Sequence, residues 1–219
     1  MHPAYSVIVF TTASGAGYGL LALLGLAGFN HGQASSVAFA LVCLVVALGL
    51  ITIGLLSSTL HLGHPERAWR ALSQWRSSWL SREGVAAVAT YVPALVFGLA
   101  WSGLVDAPGW IAPLGIATSA MALVTIFTTA MIYASLKTIR AWNQKLTAPV
   151  YLVLGLATGS CLLAAISASF DRFQIFQVIL TVILLALSCV LMSSIGAPSI
   201  PPPATTPWKP PPALAASAR

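Results

Sequence analysis

The run Ser36-Val-Ala-Phe-Ala-Leu-Val-Cys-Leu-Val-Val-Ala-Leu-Gly-Leu-Ile-Thr-Ile-Gly-Leu-Leu-Ser-Ser-Thr-Leu60 decides the class of fold. It holds no charged residue, and a helix needs only about 20 residues to cross a hydrocarbon layer of about 30 Å. Five further runs read the same way, at about 6–29, 85–105, 110–136, 148–170 and 173–195. None alternates polar with apolar residues as a barrel strand does, and a spanning segment must satisfy its backbone internally, so all six are predicted to be helices. Across the 219 residues, 58% are hydrophobic and 6% charged, where a soluble domain carries about 25% charged residues. The expected fold is an all-α integral membrane protein, a bundle of about six transmembrane helices with one interfacial amphipathic helix. The N-terminus lacks the basic region of a secretory signal peptide, so the first run is read as a retained span.

The polar residues of the chain gather just after that deciding run. Residues 60–84 hold four of the ten basic residues, two of the four acidic ones, two of the four histidines and three of the seven tryptophans. The other cations are placed in the same sense. Lys137, Arg140 and Lys145 follow the fourth run, and Lys209 and Arg219 lie in the tail, whereas Arg172 stands beside Asp171 in the fifth loop. Loops two and four share a side with both termini, and the positive-inside rule puts that side in the cytoplasm. The net charge of +6 therefore reads as an orientation signal, with no nucleic-acid partner expected. From Pro198 onward eight prolines in 22 residues predict an extended, disordered tail over 198–219. Cys43, Cys161 and Cys189 fall inside apolar runs without CxxC spacing, which reads as buried apolar cysteine and argues against a metal in this chain.

Within the polar stretch, Pro65 and Glu66 suit a first helical turn. At 100° per residue Ala68, Trp69, Leu72, Trp75, Trp79 and Leu80 share one arc, while Arg67, Arg70 and Gln74 lie outside it. Such a helix, Pro65–Leu80, is expected to lie along the membrane interface, either as a lipid anchor or as a docking face for a soluble partner. Ser81 is read as the N-cap of the third span. His61 ends the second span at headgroup depth, where an imidazole either serves a structural hydrogen bond or holds the polar head of a quinone, whose redox change moves protons. His2, His31, His61 and His64 all lie at span ends or in loops, so a diheme cytochrome is disfavoured. No span interior shows a charge, which disfavours an ion-coupled transporter.

Two spans carry small and hydroxylated residues. In the first, Thr11, Thr12, Ser14, Gly15, Gly17 and Gly19 form a face in which Gly15 and Gly19 are one turn apart. That spacing suits close helix packing, and also the wall of a ligand cleft. In the fourth, Thr125, Thr128, Thr129, Tyr133 and Ser135 are expected to hydrogen-bond between helices.

These residues resemble a known family, the membrane-anchor subunits of dimethyl sulfoxide reductase-type molybdenum enzymes. The resemblance rests on His2-Pro3-Ala4-Tyr5-Ser6-Val7-Ile8, on Thr11 to Gly19, on Leu60-His61-Leu62-Gly63-His64-Pro65-Glu66-Arg67-Ala68-Trp69, on Ser78 to Glu83 and on Thr129 to Lys137. It covers roughly residues 1–168, and the His-Leu-Gly-x-Pro-x-Arg-Ala block is its most specific part. The resemblance implies a helical anchor in a bacterial inner membrane, without haem or metal of its own. It would exchange electrons between a quinone (menaquinone or ubiquinone) and an iron–sulfur subunit, which in turn binds a molybdopterin catalytic subunit. By motif position His61 matches the family's quinol-binding histidine, with Ser14 and Gly15 as further candidate quinone contacts. Gly63, Pro65, Arg67, Arg70, Ser81, Arg82 and Glu83 would lie where the iron–sulfur subunit docks. The resemblance also implies a first four-helix unit over about 6–136 and a shortened second unit over about 148–195, because the family usually has eight spans. A cytoplasm-facing docking loop is more similar to the anchors of quinone-linked sulfite dehydrogenases than to those of the periplasm-facing reductases. The rival reading is a structural anchor or small-molecule permease with no redox role.

Overall fold

The computed structural model describes residues 5–34, 36–59, 65–172 and 174–195, with the backbone alone described at 65–68 and 71. Six long helices follow one another: α1 Tyr5–His31, α2 Val37–Thr59, α3 Trp79–Trp101, α4 Pro108–Ala134, α5 Thr147–Ser169 and α6 Ile175–Ser194. Each is long and apolar enough to cross a membrane, and no strand occurs among the described residues. The expected ends hold to within a few residues except at α3, which begins at Trp79 instead of Val85. The N-cap position falls at Ser78, whose backbone is extended and whose side chain makes no capping bond. Ser81, expected there, lies instead in the first turn and is buried.

The interfacial helix is also shorter and tighter than its pattern suggested. It is a 3-10 helix, Pro65–Gln74, and Trp79 and Leu80 belong to α3. A 3-10 helix has three residues per turn, so side chains three apart eclipse one another. Trp69, Leu72 and Trp75 have that spacing, and all three are exposed. The α and 3-10 patterns coincide over so short a window.

α1 is the hub of the bundle. It packs extensively on α2, α4 and α5, α3 packs mainly on α4, and α6 packs chiefly on α5. The packing thus crosses the division drawn between residues 136 and 148. Glycines make the α1 crossings close. A Cβ on Gly19 would run into the carbonyl of Gly155, one on Gly159 would strike Gly19, and one on Gly25 would strike Gly115. Gly17 lies against the backbone of Ala47 on α2 in the same way.

Polar bonds tie the same interfaces. Ser119 Oγ donates to the carbonyl of Ala22 at 2.7 Å, Ser57 Oγ to that of Ser6 at 2.9 Å, and the hydroxyls of Thr52 and Tyr91 are 2.7 Å apart. Of the hydroxyls expected to bond between helices on α4, Thr125 does so, 3.1 Å from Thr90 on α3, and Tyr133 pairs with Tyr151 on α5. Thr128, Thr129 and Ser135 donate to carbonyls of α4 itself. A helical Thr or Ser always has such an acceptor one turn back, and it competes with a neighbouring helix.

Among the cysteines only Cys43 is buried; Cys161 and Cys189 face outward. The expectation of buried cysteine is corrected at those two positions, because α5 and α6 present part of their apolar surface to lipid. The proline-rich tail, His2, His61, Gly63 and His64 lie outside the described residues.

The two ends of the bundle differ. At one end lie the 3-10 helix and the 135–146 loop, with Arg70, Arg76, Lys137, Arg140 and Lys145 exposed; this is the basic end. At the far end lie Asp106, Asp171 and Arg172, with Phe39, Phe97, Trp101 and Phe170 forming an aromatic cluster.

Candidate functional site

A cavity of about 520 Å³ opens in the basic half of the bundle between α1, α4, α5 and the end of α6. Ile126, Val150 and Leu154 give it apolar walls, and Met192 and Ile195 stand at its α6 side. Both candidate α1 residues, Ser14 and Gly15, line it. Gly15 has nothing within 4 Å of where a Cβ would sit among the described residues, whereas Gly19, one turn on, is locked into the α5 crossing. Gly19 thus serves packing, while Gly15 borders open space.

The cavity offers hydrogen-bond acceptors and donors in separate places. Thr11, Thr12, Ser14, Thr129 and Thr158 each donate their one hydroxyl hydrogen to a carbonyl of their own helix. What they present to a ligand is therefore oxygen lone pairs. Donors come from tyrosines. Tyr133 and Tyr151 stack with ring centres 5.5 Å apart and share a hydrogen bond, which leaves one O–H of the pair available. Tyr18, only 1% exposed, has no partner for its hydroxyl among the described residues. Trp142 meets Tyr133 edge-on at 5.2 Å and is held by its carbonyl, which accepts from Thr147 Oγ1 at 2.6 Å. The 135–146 loop is thus pinned over the basic side of the cavity.

Behind Tyr18 and Tyr133 lies a buried acid. Glu83 is 5% exposed, its Oε1 has no partner among the described residues, and both tyrosines are within electrostatic range of it. The resemblance placed Glu83 on the docking surface, and no charge was expected inside a span. The structure turns it inward because α3 starts at Trp79. From there Glu83, Ala86, Ala87, Thr90, Ala94 and Phe97 share the buried face. That 3–4–7 spacing was present in the sequence, but the Ser-Arg-Glu-Gly composition around Glu83 disguised it as loop. Ser81 shares the correction: it is 1% exposed and its hydroxyl has no partner among the described residues. Tyr18, Tyr133 and Tyr151 were missed as site residues, since a tyrosine in an apolar run looks like packing until a cavity is found beside it.

Of the remaining candidates, Arg70 and Arg82 have described side chains, and both lie at the basic end. Arg70 is exposed, with its guanidinium 5.5 Å from the Trp69 ring centre. Arg82 is committed within the chain: Nε donates to the Trp75 carbonyl at 3.0 Å, Nη2 to the Arg76 carbonyl at 2.8 Å, and the guanidinium stacks 4.3 Å over Trp79. It straps the segment after the 3-10 helix onto α3. Leu72 presses on the same helix at Gly84, where a Cβ would come within 2.8 Å of it. Pro65 and Arg67 lie on the 3-10 helix, where the backbone alone is described. His61 and Gly63 are not among the described residues; the chain leaves α2 at Thr59, at the basic end.

Comparison with known proteins bears on this arrangement. A family profile described as DMSO reductase anchor subunit (DmsC) matches residues 1–199. A sulfite dehydrogenase subunit from Allochromatium vinosum is 39% identical, over 85% of this chain and 63% of its own length. The chain thus spans a little under two thirds of that curated relative. No solved structure matches it.

Proposed function

The chain belongs to the DMSO reductase anchor subunit family, and from that premise we propose that it is the quinone-reactive membrane anchor of a molybdoenzyme complex. The cavity on the basic side of the bundle carries the reading. Its apolar walls suit a quinone ring and the start of an isoprenoid tail, its tyrosine hydroxyls can donate to a quinone carbonyl, and its Ser and Thr oxygens can accept from a quinol hydroxyl. A bound quinone accepts two electrons and two protons. Glu83, within electrostatic range of Tyr18 and Tyr133, supplies a buried carboxyl able to hold a proton at that moment. His61 follows the end of α2 by two residues and is proposed as a further hydrogen-bond partner of the quinone head.

The exposed arginines beside the cavity favour a soluble partner on the same end, proposed as an iron–sulfur subunit that carries electrons to a molybdopterin catalytic subunit. The identity to a protein of sulfite dehydrogenase and the cytoplasmic placement of the basic loops support sulfite as the donor, with electrons running from sulfite to quinone. In a plasma membrane that arrangement puts both termini and the docking face in the cytoplasm.

Two experiments test this. Purification of the tagged protein from its native membrane in mild detergent is expected to bring down two larger subunits with iron and molybdenum; a metal-free isolated chain overturns the anchor role. Within the purified complex, Gly15→Trp is expected to keep all subunits and lose quinone-linked electron exchange, since its side chain grows into open cavity. Exchange at the unaltered rate would place the quinone elsewhere.

A further inference from the structure

A second cavity, of about 400 Å³, lies at the far end of the bundle, between α1, α5 and α6. Its apolar side includes Leu26, Leu163 and Leu180, with Leu26 partly turned outward, and its polar side carries Asn30, His31, Gln33, Arg172 and Gln174. α6 packs chiefly on α5, yet α1 and α6 both line this space, so the cavity occupies a gap between two helices that otherwise barely meet.

The rim has a definite chemistry. Among its described lining Arg172 is the one Lys or Arg, and the His31 imidazole is the other basic group; Asp106 and Asp171 are at the same end, but both are exposed and neither lines the cavity. Amide groups add further N–H donors. Arg172 also interacts within the chain, and its five N–H donors allow it to serve a second acceptor at once. Deeper in, Gln177 Nε2 donates to Ser167 Oγ at 3.1 Å, while Gln177 Oε1 is buried without a donor among the described residues. The site thus asks for an anion with several lone pairs, a hydroxyl to donate to Gln177, and an apolar chain. A quinone has no charge for the guanidinium and no hydroxyl when oxidised.

We propose that this cavity binds an anionic glycerophospholipid with a hydroxylated head group. The phosphate lies against Arg172 and the rim amides, a head-group hydroxyl reaches Gln177 Oε1, and an acyl chain follows Leu26, Leu163 and Leu180. The lipid then joins α6 to α1, which α6 scarcely touches directly. This site is separate from the quinone cavity and does not depend on that reading.

The test is native mass spectrometry of the delipidated full chain, offered phosphatidylglycerol or phosphatidylcholine with identical acyl chains. One basic side chain near a head group favours an anionic lipid by about fivefold, so phosphatidylglycerol should be retained about fivefold better. Arg172→Gln should remove that preference. Gln174→Glu, at an exposed rim position, should remove it too without touching the packing of Arg172. Leu180→Trp, which adds bulk on the apolar side, should lower retention of both lipids. Equal retention of the two lipids by the unaltered chain overturns the proposal, as does a preference that survives both rim variants. Displacement of phosphatidylglycerol by inorganic phosphate would assign the rim to a free anion, and preferential retention of ubiquinone, lost in Leu180→Trp, would assign the cavity to a quinone; either outcome overturns the lipid reading.

Discussion

Gly15 and Gly19 sit one helical turn apart on α1, and the absent side chain does opposite things at the two positions. At Gly19 it lets α5 approach, so Gly19→Ala forces backbone apart and should cost about 1–3 kcal/mol, as overpacking does. Gly15→Ala grows into space and should leave thermal stability in detergent unchanged. A thermal melt of the two variants checks both, and equal losses would mean that the cavity wall is not where it is drawn. Glu83 gives a second prediction. Glu83→Gln keeps the shape and removes the ability to exchange a proton. Quinone-linked turnover should fall by about a hundredfold, in the range of a lost proton-transfer group, with the melting point preserved. A melting point that falls in step with turnover would make Glu83 structural. The small-residue face of α1 was legible at this scale, because spacing alone marks it. Glu83 was not, because its polar neighbours hid its place on a helix.

Among the elements, the six spans were legible from length and lack of charge, which the membrane imposes on any chain that crosses it. The segment between α2 and α3 was harder, because Trp69, Leu72 and Trp75 have a spacing of three that fits either kind of helix. What holds it is Arg82, a residue that reads as a free surface cation. Its two bonds to backbone carbonyls and its stacking on Trp79 need the planar fork of a guanidinium. Arg82→Gln should therefore speed amide hydrogen exchange across residues 69–78 while α1 and α4 exchange as before, and Arg82→Lys should restore little. Unchanged exchange in that segment would show that Leu72 and its seat at Gly84 suffice.

For the whole molecule, the charge bias predicts which end faces the cytoplasm. A cysteine placed at Gln74, with the three natural cysteines replaced, should resist a membrane-impermeant maleimide in intact cells and react after lysis. Labelling in intact cells would invert the protein and, with it, the proposed docking face. Which helices touch was not legible, since Gly19 meets Gly155 and Gly159 across most of the chain, and no local pattern reports such a pairing. The central position of α1 also constrains how the protein is born. α1 is made before α5, and its glycine seat there arrives roughly 140 residues later, about 7–30 s at ordinary rates of synthesis. Through that interval α1 has only α2, and later α4, to pack against, and its α5 face waits unfilled. The bundle closes around α1, and a ribosome stalled between α4 and α5 leaves that helix with its glycine face unfilled.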